Sequence, residues 1–397
     1  MSQKLVDRNP DLKRLRDKGY DVDIDVVTGY LTVGHVPYVT ASKQIKQGTL
    51  VSPLELQQER TVKPSNHTVY FVGEIPCDEH GAELPIVHDR NANVALRPGV
   101  VATCQFSSKP MPNGYADYYE KLTTYIKLLL HEAQAIDPSV KAKVFRPIRA
   151  DEDDAAPFHY LDTSSSRAGI GGLNLKLAMD KIAIVGLGGT GGYVLDFVAK
   201  THAKEIHLFD DDEFKQHNAF RCPGALSFDE LTDDLNKVGY YFGLYSKLRR
   251  GIVPHPYRIN PSNVGEITGM GFVFLCLDTG ELKDAIMRSL EAAGVPFIDV
   301  GMGVELVGDA LTGILRVTTS TPQKREHIRD NERVSFAPAT GDNIYSRNIQ
   351  VAELNAMNAA LAVVRWKKYC GFYLDLKHEH HTTYSISTNR LANEDHR

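Results

Sequence analysis

Residues 181–196 read KIAIVGLGGTGGYVLD, an apolar run, a glycine-rich turn and the opening of a helix. Gly186, Gly188, Gly189 and Gly191 permit a tight turn and let backbone N–H groups approach phosphate oxygens at the positive end of that helix. Asp210 closes the next apolar run, where a carboxylate accepts hydrogen bonds from ribose hydroxyls. A glycine turn that only packs helix on strand is the bland alternative, and strand, turn, helix and distal acid falling in order argue against it. This predicts a nucleotide site and leaves NAD and ATP both open. The segment that follows separates them, because it gathers Asp210, Asp212, Asn218 and Arg221 in one short stretch. A dehydrogenase has no role for that Asn and Arg. Cleavage of a triphosphate between its α and β phosphates needs amide and cationic donors, with a carboxylate for Mg2+.

Four separated elements carry a resemblance: GLGGTG, then Asp210 and Asp212, then His217-Asn218-Ala219-Phe220-Arg221, then an Asp, Asp278, at the end of a later apolar run. In order and spacing they resemble the ThiF/MoeB and ubiquitin-activating superfamily of adenylyltransferases, over roughly residues 160–370. The resemblance implies ATP and Mg2+ as cofactors, with Gly186, Gly188, Gly189 and Gly191 beneath the nucleotide and Asp210 and Asp212 beside it. It implies that Asp210 holds the ribose, that Asn218 and Arg221 contact the phosphates, and that Asp278 binds Mg2+ and positions the α-phosphate. The attacking group would be the C-terminal carboxylate of a ubiquitin-like protein, giving an acyl-adenylate and pyrophosphate. Arg221, Asp278 and Arg167 form the implied catalytic set, Arg167 reaching the ATP of the second subunit of a homodimer. A sulfur-carrier protein or a small peptide is the alternative substrate, and an inactive nucleotide-binding scaffold is the alternative from another class.

Two departures bear on this. The family has a phosphate-touching lysine in a KVGxxK-like helix start, whereas residues 237–242 read KVGYYF and put Phe242 at that place. Lys247 or Arg249 are substitutes from further along the helix. The metal-binding C-x-x-C pairs common in the family are missing, so no structural zinc is expected. His378-Glu379-His380-His381 reads as solvated or structural rather than as a metal site.

The elements that must position these groups follow from periodicity. After residue 165 strands and helices alternate: strands at 181–185, 205–209, 271–277 and 295–300, helices at 192–203, 235–250 and 282–293. This is α/β patterning, and the resemblance makes it a Rossmann-like doubly wound sheet. A last helix, 349–369, is apolar on most faces and therefore buried, in this domain or against a second copy. The first ~110 residues read instead as short strands, 22–27, 30–33, 36–39, 49–51, 68–72 and 100–106, with Thr28-Gly29 as a turn and Gly34-His35 leading from 30–33 to 36–39. A Tyr-rich amphipathic helix over 115–133 follows. The expected division is a mostly-β domain at 1–145, a linker at 146–165 and an adenylation domain at 166–397. The first of these resembles the extra domain found ahead of some bacterial ThiF-like proteins.

Composition excludes other classes. The 397 residues carry 45 Lys+Arg against 50 Asp+Glu, a net charge of −5 that does not suit a dedicated nucleic-acid binder. With no membrane-length apolar run and no signal-like N-terminus, a cytoplasmic protein is expected. Five cysteines, at 77, 104, 222, 276 and 370, form no pair. Residues 304–347, where relatives carry a thioester cysteine, contain none. Cys104 and Cys276 read as buried mid-strand residues, Cys370 closes a helix, and Cys222 beside Arg221 is the best-placed thiol.

Overall fold

The computed structural model describes residues 2–25, 28–92, 94–97, 100–110, 112–150, 156–232, 235–277, 280–336 and 349–396. The chain divides into two compact units, residues 1–152 with 160–167, and residues 153–159 with 168–397. Residues 146–165 therefore contribute to both. No helix among the described residues is long and apolar enough to cross a membrane.

The first unit begins with two short helices, α1 (Ser2–Arg8) and α2 (Pro10–Asp17), which the strand pattern did not anticipate. Pro10 suits the first turn of α2, where no N–H partner is needed. An antiparallel sheet follows, built from β1 (Asp21–Asp25), β2 (Tyr30–Val39), β3 (Ile45–Pro53), β4 (Val69–Val72), β5 (Val87–Asp89) and β6 (Cys104–Phe106). Their order is β1-β2-β3-β4-β6-β5. Gly34-His35 is a bulge within one continuous strand, so the two short strands expected at 30–33 and 36–39 are one: the β2–β3 register shifts between Val33 and Val36, and His35 has φ +57°. Helix α3 (Tyr118–Ile136) is capped by Asp117, which accepts the Glu120 N–H. It buries Leu122, Tyr125, Ile126 and Leu129 in one core with Leu12, Leu15, Phe71 and Phe106.

The second unit is α/β. Its eight-stranded sheet comprises β7 (Lys181–Val185), β8 (Glu205–Phe209), β9 (Ile252–His255), β10 (Phe272–Leu275), β11 (Phe297–Val307), β12 (Ala310–Ser320), β13 (His381–Ser385) and β14 (Arg390–Glu394). The spatial order is β9-β8-β7-β10-β11-β12-β13-β14. The first five strands are parallel and the rest antiparallel. The parallel part is Rossmann-like: strand order runs outward in opposite directions on the two sides of β7. Ligands bind at such a switch point, outside the carboxyl ends of the strands. Helices α4 (Gly189–Ala199), α5 (Lys237–Tyr245), α6 (Gly280–Ala292) and α7 (Ala352–Tyr369) cover the sheet. Two cores result, one holding Ile182, Ile184, Leu195, Tyr241 and Trp366, the other Val185, Val273, Leu275 and Ile286.

The buried face of helix α7 mixes core apolar residues, Val363 among them, with two asparagines. Val364 is exposed, while Asn355, Asn358, Ala359, Ala362 and Trp366 are buried. Small residues let α7 approach the glycine-rich start of α4, where Asn355 accepts from Thr190 Oγ1, while Asn358 donates to the Gly301 carbonyl on β11.

Candidate functional site

The glycine turn follows β7 at the switch point. Gly186 has φ +90°, and a Cβ there would lie 2.5 Å from the Cys276 carbonyl oxygen. A Cβ on Gly191 would lie 1.9 Å from the Gly186 oxygen, and one on Gly189 2.2 Å from Asn355 Nδ2. Those three glycines are required by the fold. Gly188 differs: it caps α4 with φ −65°, and an added Cβ would meet nothing within 4 Å. Its missing side chain leaves open the space in front of the helix N-terminus. A cavity of about 240 Å³ occupies that space, walled by the turn, by Asp210–Asp212 after β8, by Cys276 and Leu277 after β10, and by Val300–Met302 on β11.

Asp210 braces the turn. Its Oδ2 accepts the Leu187 N–H at 2.6 Å and its Oδ1 the Asp212 N–H at 2.9 Å. Burial pushes its pKa above the usual carboxylate value, opposed first by the Lys237 ammonium, whose Nζ lies 3.5 Å from Oδ1. Each oxygen keeps a further lone pair for a ribose hydroxyl. Lys237 is not a surface residue: it is 6% exposed, pairs with Asp212 at 2.6 Å and lines the cavity. That pairing holds the Asp212 carboxyl below its usual pKa. Lys237 opens α5, whose start is fixed by Asn236 accepting the Gly239 N–H. The family-like lysine position, Phe242, is exposed and outside the cavity wall. Arg249 is no substitute either. It is buried, donates to the carbonyls of Ala199, Thr201 and Lys204 beyond the far end of α4, and has its pKa lowered to about 10 by burial.

Arg221 lines the cavity, and its Nε is buried with no hydrogen-bond partner. Asn218 stands behind it. Its Oδ1 accepts the Lys215 N–H at 2.8 Å, its backbone oxygen accepts the Arg221 N–H at 3.0 Å, and its Nδ2 is buried without a partner. Arg167 lies in the first unit, its guanidinium 5.1 Å above the Phe145 ring. Asp278 lies outside the described residues.

Sequence reasoning missed Asn355 and Asn358. Asn355 accepts from Thr190 Oγ1 at 2.8 Å and donates to the Arg221 carbonyl at 3.4 Å, so it ties the glycine turn to the arginine loop. Asn358 donates to the Gly301 carbonyl at 3.1 Å, lines the cavity, and keeps a buried Oδ1 with no partner. Two buried amides on an otherwise apolar helix were the available signal, since such groups demand partners. Arg258, which pairs with Asp211 at 2.7 Å, also lines the cavity and was not anticipated.

The donor set fits a nucleotide. Backbone N–H groups at a helix N-terminus, Arg221 and Lys237 suit phosphates, and the cavity-lining Arg221 and Asn358 each keep an unpartnered buried polar atom suited to a polar ligand. Asp210, Asp211 and Asp212 bring one carboxylate oxygen each within 4.8 Å of one another, a donor set suited to Mg2+. Cys276 is the cysteine of the cavity wall; it follows β10 and is half-buried, rather than a buried mid-strand residue. Burial raises the thiol pKa of Cys77 and Cys222, to about 11 at Cys104 and about 12 at Cys370.

A second cleft shares the wall formed by Leu277 and Val300–Met302. It runs along the β11–β12 ribbon past Lys283 and Arg316. These two cations flank the buried Asp299 at 2.9 and 2.5 Å.

Residues 10–163 match the family model "Domain of unknown function (DUF6791)". No curated protein matches the chain. Among solved structures the chain is similar to E. coli MccB with succinimide, at 20% identity and TM-score 0.42, covering 57% of this chain and 66% of that one. It is similar to the microcin C7 biosynthetic enzyme MccB in complex with N-formylated MccA, at 20% identity and TM-score 0.46, over 59% and 70%. A third, PaaA, matches at 18% and 0.40, over 56% and 75%. The chain thus spans just under two thirds of the first MccB chain.

Proposed function

We propose that the second unit is an ATP- and Mg2+-dependent adenylyltransferase that activates the C-terminal carboxylate of a protein or peptide, a ubiquitin-like carrier by the motif resemblance. The observation that carries this is the open cradle at Gly188, faced by Arg221 and Lys237 and set at the switch point of the sheet. The backbone N–H groups at the start of α4, with Arg221, bind the phosphates; Asp210 holds the ribose and fixes the turn. The carboxylate enters along the β11–β12 cleft, whose wall is continuous with the nucleotide cavity. Its oxygen bonds to the α-phosphorus while the bond to the pyrophosphate oxygen breaks. The protein contributes position and charge stabilisation rather than a nucleophile. Asp278 and the exposed Asp211 and Asp212 carboxylates would hold Mg2+, which when bound offsets the phosphate charge. Arg167 acts across a two-fold dimer in this reading. No thiolate is needed, in keeping with four cysteines whose pKa burial raises.

The test is the bond that breaks. With ATP, Mg2+ and synthetic peptides ending in a free Gly-Gly carboxylate, the chain should catalyse exchange of pyrophosphate into ATP, and C-terminally amidated peptides should not support it. Release of ADP and phosphate in place of AMP and pyrophosphate would overturn the reading.

A further inference from the structure

The first unit carries a groove of about 590 Å³ on the side of α2, lined by Lys13, Arg14, Lys18, Lys143 and Arg167. Five cations face one carboxylate there, Asp17, which is already engaged by Ser166 Oγ at 2.8 Å and Arg16 Nε at 3.5 Å. Among the described residues none of the five has a carboxylate partner. Other cations of this unit do have carboxylate partners: Arg16 with Asp7, Lys46 with Glu74, Arg90 with Glu83 and Arg146 with Asp21. Unpaired like charges repel one another, and an anion in the groove relieves that repulsion.

The cations are also held in place. The Arg14 guanidinium sits 3.9 Å over the Tyr119 ring, the Lys143 ammonium 5.9 Å over Tyr20, and Arg167 5.1 Å over Phe145. Phe145 has φ +47°, in the left-handed region that a bulky residue rarely occupies. The strain is held by the Val144 and Phe145 N–H groups, both donating to the Gly19 carbonyl. Gly19, at φ +95°, gives the ring its room, because a Cβ there would lie 2.6 Å from it. Local strain of this kind is kept where it serves placement. Here it places Phe145, and with it Arg167, on the groove.

We propose that this groove docks an acidic polypeptide segment, a run of Asp and Glu residues on a partner protein. Charge complementarity selects the anion, and the charge of the whole chain selects polypeptide over nucleic acid. The whole chain is acidic, with a net charge of −5, which repels a long phosphate backbone but leaves a local basic groove able to take a short acidic run. The docking shares Arg167 with the adenylation reading, and its test reads peptide binding through Lys13 and Lys18, which that reading does not use.

The experiment uses the full chain and a fluorescein-labelled dodecapeptide of alternating Glu and Asp, read by anisotropy. Wild type should bind it with an affinity that falls as salt rises. Lys13→Glu/Lys18→Glu should weaken binding at least tenfold, and Lys127→Glu/Lys141→Glu, the same charge change on exposed lysines outside the groove, less than twofold. If the reversal disturbs folding by circular dichroism, Lys13→Gln/Lys18→Gln replaces it, with at least a threefold loss expected. Equal losses in the groove and control variants, no binding by wild type, or tighter binding of a labelled twelve-nucleotide single strand than of the peptide would each overturn the proposal.

Discussion

At Gly188 and Gly191 two glycines of one turn separate ligand space from fold space. Alanine at Gly191 would drive its methyl into the Gly186 carbonyl, whereas alanine at Gly188 would project into the cavity alone. Lys237 is the other residue on which the site depends. Ionised Asp210 is costly to bury, so its raised pKa means that its ionisation lowers folding stability as pH rises. Removing the Lys237 cation raises that pKa further. Lys237→Met should therefore cost about 3 kcal/mol at neutral pH, the loss shrinking toward about pH 4 as Asp210 takes up a proton. Urea unfolding at a series of pH values measures this; a pH-independent loss would contradict it. The place of the glycine turn after β7, with Asp210 beside it, was legible in the sequence because spacing along strand, turn and helix fixes it. Lys237 was ambiguous because nothing in KVGYYF says which side of α5 faces Asp210.

Elements were legible according to how completely they are buried. Strands β7 and β8 read as unbroken apolar runs, as strands covered on both faces must, and their observed bounds coincide with the expected ones. The antiparallel extension β12–β13–β14 was not read. Its strands carry Thr, Arg and His at buried or half-buried positions, held by partners rather than by hydrophobicity: His381 shares a hydrogen bond with Thr318 Oγ1 at 3.0 Å. The His378–His381 run proves structural at its last two positions, which are buried. Burial lowers the pKa of both His380 and His381 to about 4. The unfolded chain protonates these imidazoles near pH 6.5, and the folded one only near 4, so stability falls as pH drops through that window. The melting temperature should drop by several degrees between about pH 7 and pH 5, less steeply in His380→Gln. A pH-independent melt would show that the hairpin does not carry this cost.

Across the whole molecule the division of labour follows the division into units. The second unit holds a cavity at the topological switch point, where parallel α/β sheets bind ligands whatever their chemistry. In the proposed reading the loop from Asp210 to Arg221 selects the ligand together with Lys237, and the first unit adds a basic groove of its own. The central claim is that the glycine turn binds ATP, and calorimetric titration of the full chain tests it most directly. ATP with Mg2+ should bind wild type saturably and NAD should not. Gly188→Ala should weaken ATP at least tenfold while its thermal melt matches wild type. Tight NAD binding with no response to ATP, or undiminished ATP binding by Gly188→Ala, would contradict the account.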